Sequence, residues 1–78
     1  MPRLLFIEGF RFSFYMSDGV EPPHVHIEKG SANAKIWLGP IRIQYALGFN
    51  PGELRRMREL TVEHEAFFLE RWYECFGR

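Results

Sequence analysis

His24-Val25-His26-Ile27-Glu28, introduced by Glu21-Pro22-Pro23, sets two imidazoles and a carboxylate at alternate positions of a short segment. Alternate side chains share one face of a β-strand, so Val25 and Ile27 turn to a core while His24, His26 and Glu28 point outward in a row. First-row metals accept both imidazole and carboxylate, and His-x-His on a strand presents its rings side by side, so the row is a candidate site for a divalent transition metal. Asp18, Glu21 or a water could supply a fourth ligand. The competing reading is a solvated polar face of an antiparallel sheet that binds nothing.

Histidine also serves as a general base, and the carboxylate of Glu28 or Glu21 could orient either ring and raise its pKa. No nucleophile is identifiable beside them. Ser13, Ser17 and Ser31 sit in no elbow or triad spacing, and Cys75 and His64 fall within a helical stripe where a packing role is expected. The row is similar to the His-φ-His-φ-His of histidine-triad nucleotide hydrolases, but Glu28 stands at the third place. A carboxylate there repels phosphate, and the chain is too short for that fold. Arg55, Arg56 and Arg58 could grip phosphates, but Glu53, Glu59, Glu63 and Glu65 are interleaved with them, as on an ordinary solvated helix face.

Turn chemistry defines the elements that must hold these residues. Glu8-Gly9, Ser17-Asp18-Gly19 leading to Pro22-Pro23, Lys29-Gly30-Ser31 and Gly39-Pro40 punctuate the first half at short intervals. The segments between them read as strands: Arg3–Ile7 is apolar, Phe10, Phe12 and Phe14 alternate with Arg11, Ser13 and Tyr15, Ala34, Ile36 and Leu38 with Lys35 and Trp37, and Ile41, Ile43 and Tyr45 with Arg42 and Gln44. The period changes at Asn50-Pro51-Gly52-Glu53, which combines a cap, a first-turn proline and a capping-box carboxylate. A helix is expected from there to about Phe76, with Leu54, Met57, Thr61, His64, Phe68, Trp72 and Cys75 along one stripe. The predicted fold is α+β: a four- to five-stranded antiparallel meander over 1–47, with one long C-terminal helix over 50–76 packed on one face, forming a single domain over 1–78. Phe10, Phe12, Phe14, Val25, Ile27, Ile36, Leu38, Leu54, Met57 and Phe68 are its expected core.

With 78 residues, eight Phe, three Tyr and two Trp must supply much of the buried area. Ten basic residues balance ten acidic ones, so no global field attracts nucleic acid. A lone Cys75 excludes an internal disulfide framework and suits a reducing cytoplasm, and the apolar run Leu4–Ile7 is far too short to enter a membrane. At the helix end Phe67, Leu69, Trp72, Tyr73 and Phe76 spread around the circumference, more than one sheet can cover. They are the expected partner-binding surface, for a second copy or another protein.

Gly9-Phe10-Arg11-Phe12, Glu21-Pro22-Pro23-His24-Val25-His26, Ala34-Lys35-Ile36-Trp37-Leu38, Gly48-Phe49 before Glu53-Leu54-Arg55-Arg56, and Trp72 together resemble a small bacterial family of unknown function numbered 4160. Members of that family are often encoded beside another small protein, a layout like that of toxin–antitoxin pairs, so the resemblance implies a protein partner made by a neighbouring gene. The leading expectation is thus a small non-enzymatic interaction module, antitoxin-like or regulatory. The alternative is a metal- or histidine-dependent enzyme, such as a small nuclease toxin, centred on His24, His26 and Glu28. A DNA-binding regulator has only the Arg55-Arg56-Arg58 cluster in its favour and lacks a helix-turn-helix pair.

Overall fold

Glu8 and Gly9 both adopt positive φ, 54° and 84°, the twist that a two-residue hairpin connection requires. They join β1 (Arg3–Ile7) to β2 (Phe10–Ser13) in the computed structural model, which describes residues 3–77. β3 (His24–Lys29), β4 (Ala32–Trp37) and β5 (Arg42–Leu47) follow, and the sheet order is β1-β2-β3-β4-β5, antiparallel throughout. Register explains the core. Phe12 faces Ile27, which faces Ala34, and Val25 faces Ile36, so one face of the sheet is a continuous apolar layer.

That layer is covered by α1 (Pro51–Glu63) and α2 (Glu65–Phe76), which bury Met57, Leu60, Phe68 and Trp72. The start of α1 is as expected. Asn50 accepts from the Glu53 N–H at 2.8 Å, Glu53 accepts from the Asn50 N–H at 2.9 Å, and Pro51 opens the helix. The single long helix is instead two, because His64 leaves helical geometry at φ −109° and ψ 12°. Just before it, the Thr61 hydroxyl donates to the Met57 carbonyl and the His64 ring to the Leu60 carbonyl, and such back-bonding competes with the helix ladder.

The stripe also ends differently within α2. Beyond Phe68 it runs through Trp72 and Phe76, whose rings lie 4.4 Å apart, so Cys75 is exposed rather than packed. Leu54 is only half-buried, while Leu60 joins the core in full. The other expected core residues are buried. A further element, a 3-10 helix at Met16–Val20, folds back between β2 and β3 and was not anticipated beyond its turn chemistry.

Candidate metal centre

Pro22-Pro23 delivers the chain to β3 so that His24 opens the strand, on the face opposite Val25 and Ile27. On this face the cross-strand neighbours are Trp37 beside His24, Ser13 and Lys35 beside His26, and Arg11 and Asn33 beside Glu28. A solvated face, the competing reading, would leave these side chains exposed. Instead His24 is 0% and His26 8% exposed, because the 3-10 helix folds over the first half of β3 and aromatic rings wall it in. Tyr15 stacks on His26 at 4.0 Å, and Trp37 and Trp72 each approach His24 to 5.2 Å.

The 3-10 helix brings Asp18 to the two rings. Asp18 is itself buried, and one of its oxygens accepts from the Tyr15 N–H at 2.8 Å. His26 Nε2 lies 3.3 Å from both Asp18 oxygens, and His24 Nε2 lies 3.2 Å from Oδ1. The three ligand atoms fall within 4.8 Å of one another. His24 Nδ1 lies 2.9 Å from the Pro22 carbonyl oxygen, which can only accept, so the ring proton of a neutral His24 is on Nδ1 and Nε2 is bare.

That bare nitrogen is fully buried and has no hydrogen-bond partner. A buried polar atom left unpaired is costly. Two ligands held on one ion at 2.0–2.2 Å stand roughly 2.8–3.6 Å apart at tetrahedral or octahedral angles. The observed separations of 3.2 and 3.3 Å lie in that interval. A charge-assisted N–H···O bond would draw the same atoms to about 2.7–2.9 Å. Burial pushes the His26 pKa down, with Asp18 partly offsetting it, which favours the neutral imidazole that a metal needs.

The structure does not bring Glu28 into this group. It stands two residues beyond His26, where the 3-10 helix no longer covers the strand, and its carboxylate is 3.9 Å from Arg11 Nε. Glu21 is nearer, with Oε1 3.8 Å from His24 Nε2 and 2.9 Å from Lys35 Nζ. The Lys35 ammonium holds the Glu21 carboxyl below the usual carboxylate range. Asp18, considered only as an additional ligand, is thus central. The signal for it was its place in the turn just before the histidines, in the pattern Asp18-x-x-Glu21-x-x-His24-x-His26.

The other expected sites are dispersed. Arg56 is engaged by Glu8 through two bonds of 2.8 and 2.6 Å and by Glu59 and Glu63 at 3.3 Å, while Arg55 and Arg58 point to solvent elsewhere on the helix. Of the five residues expected to form a partner surface, Trp72 is 1% exposed, packed edge-on against Phe14 at 5.1 Å. Leu69 and Phe76 are half-buried against the core. Phe67 and Tyr73 remain exposed, but six residues at about 100° each separate them to different sides of α2. Tyr73 instead borders a cavity of about 430 Å³ shared with Val20, Glu21, Pro22 and Pro23.

No helix among the described residues is long and apolar enough to cross a membrane. A family model described as a domain of unknown function (DUF4160) matches residues 9–73. No curated protein and no solved structure shows a significant match to the chain.

Proposed function

The chain belongs to the DUF4160 family, a domain of unknown function, and we propose that within it Asp18, His24 and His26 bind one divalent transition-metal ion. The observation that carries this reading is the buried, unpartnered His24 Nε2, which lies 3.2 Å from a carboxylate oxygen. Two imidazoles and one carboxylate suit zinc, iron, nickel or manganese. Such an ion would tie the 3-10 helix, which has no strand partner, to β3. It would also offset the charge that Asp18 carries into the interior.

The test is the metal content of protein purified without a histidine tag, followed by thermal melting with zinc, nickel and manganese. Bound metal near one equivalent and a raised melting temperature, both lost in His26→Ala, support the reading. No metal and no shift would overturn it.

A second reading, a protein-interaction module, is favoured by the apolar surface beside this centre. Val20 is 87% and Tyr73 52% exposed, and both border the cavity next to Glu21. The two readings are compatible, since metal at Asp18 would fix the segment that presents Val20. Sedimentation and co-purification with the neighbouring gene's product test it.

A further inference from the structure

Asp18 and Glu21 are three residues apart across a 3-10 turn, whose threefold repeat sets such side chains on one side. The Glu21 N–H donates to the Asp18 carbonyl at 3.0 Å and closes that turn. Both carboxylates therefore approach the same nitrogen: Asp18 Oδ1 is 3.2 Å and Glu21 Oε1 3.8 Å from His24 Nε2. Two anions converging on a bare lone pair repel one another unless a cation lies between them.

Among the described residues, Lys35 is the cation paired with Glu21. Its ammonium reaches Glu21 Oε1 at 2.9 Å and lies 4.6 Å over the Trp37 ring, and so neutralises Glu21. Glu21 lies outside the group of ligand atoms within 4.8 Å of one another, so a side-chain rotation that moves Oε1 by more than about 1 Å must carry it to the roughly 2.8–3.6 Å spacing of ligands sharing one ion.

We infer that Glu21 is the fourth ligand of the centre proposed above, an inference that rests on that reading, and that Lys35 competes with the metal for its carboxylate. Two imidazoles and two carboxylates then close a four-coordinate site, and the divalent charge is balanced by Asp18 and Glu21. A closed site of this kind holds an ion for structure or sensing and leaves no open position for a substrate, in contrast to a hydrolytic centre. Metal loading would also free Lys35 from Glu21, which makes the exposed Glu21–Lys35 pair the point at which the site opens and shuts.

Cobalt(II) is the probe, because it absorbs visible light strongly in four-coordinate sites and weakly in six-coordinate ones. Tag-free protein is titrated with cobalt(II) and its affinity and spectrum recorded for the wild type, Glu21→Gln, Lys35→Met and Asp18→Asn. The wild type is expected to show the intense four-coordinate bands. Glu21→Gln should bind at least about 10-fold more weakly, with bands that fade as water replaces the carboxylate. Lys35→Met should bind about two- to fivefold more tightly, as expected on removing a partly exposed ion pair. Melting without metal confirms that each variant folds. Wild-type affinity and spectrum in Glu21→Gln, with binding lost in Asp18→Asn, would overturn the fourth-ligand assignment and leave the three-ligand centre standing. Unchanged affinity in Lys35→Met would overturn the competition. No cobalt binding by the wild type would overturn the centre itself.

Discussion

Asp18 Oδ1 stands 3.2 Å from His24 Nε2, and this approach joins a 3-10 helix that lacks strand partners to the first position of β3. Asp18→Asn keeps the side-chain shape and an acceptor for the Tyr15 N–H but removes the anionic ligand. Metal at about 100 times its dissociation constant should stabilise the wild type by about 2.7 kcal/mol. In a domain of this size that corresponds to a melting shift of roughly 10–20 °C. Asp18→Asn is expected to show no such shift in thermal melting with zinc, and a shift of wild-type size would remove Asp18 from the ligand set.

Glu28→Gln supplies the contrasting case. A strand rises about 3.3 Å per residue, so Glu28 lies about 6.6 Å beyond His26, and its near partner is Arg11 rather than the imidazoles. The variant should keep the metal-induced melting shift and stay within about 0.5 kcal/mol of wild-type stability. Loss of the shift would restore the straight row of three as the site.

What could be read from the sequence was what neighbours in the chain decide. The pleat of β3 separates Val25 and Ile27 from His24 and His26, and Asn50 with Glu53 closes a capping box within four residues. The rest depended on contacts between distant segments or on small changes of phase. Glu28 shares a face with the histidines but is not reached by the 3-10 helix, whereas Asp18 belongs to no strand and is carried to them by a chain reversal. Likewise, one non-helical residue at His64 splits the expected single helix, and within α2 it is Phe76 whose ring packs on Trp72 while Cys75 is exposed.

Phe12 lies at the centre of the apolar layer, fully buried opposite Ile27 and stacked on Phe68 with ring centroids 5.1 Å apart. Truncation removes the ring from both the sheet layer and the α2 contact. Phe12→Ala should cost about 3–5 kcal/mol in urea unfolding. A loss below about 1 kcal/mol would mean that this face of the sheet is not the core.

Glu8 and Arg56 link the first hairpin to α1, and the Arg56 guanidinium holds the Glu8 carboxyl below its ordinary value of 4.5. The folded state therefore binds this proton less readily than the unfolded chain. The stabilisation is present above about pH 4.5 and is lost as the pH falls through the lowered folded value. Glu8→Gln should flatten that part of the acid side of a melting-temperature profile and leave the profile at neutral pH parallel to wild type. Identical acid limbs would assign the loss to other carboxylates.

Trp72 and Tyr73 are adjacent on α2 but differ in kind, with 1% and 52% exposure. Trp72 packs against Phe14, Phe76 and His24 at once, so it links the hydrophobic core to the wall of the metal centre. Trp72→Ala should cost about 3–5 kcal/mol of stability. The lost wall should also admit water to His24 and weaken metal binding, since the apolar shell around a site controls solvent access. Tyr73→Ala should leave stability within about 0.5 kcal/mol and metal binding unchanged. Any partner that docks beside Val20 and Pro22 would lose the Tyr73 ring, a truncation worth about 2 kcal/mol where such an aromatic anchors an interface. Urea unfolding, zinc-dependent melting and sedimentation on both variants separate these effects. Equal stability losses at the two positions would show that α2 does not present Trp72 inward and Tyr73 outward.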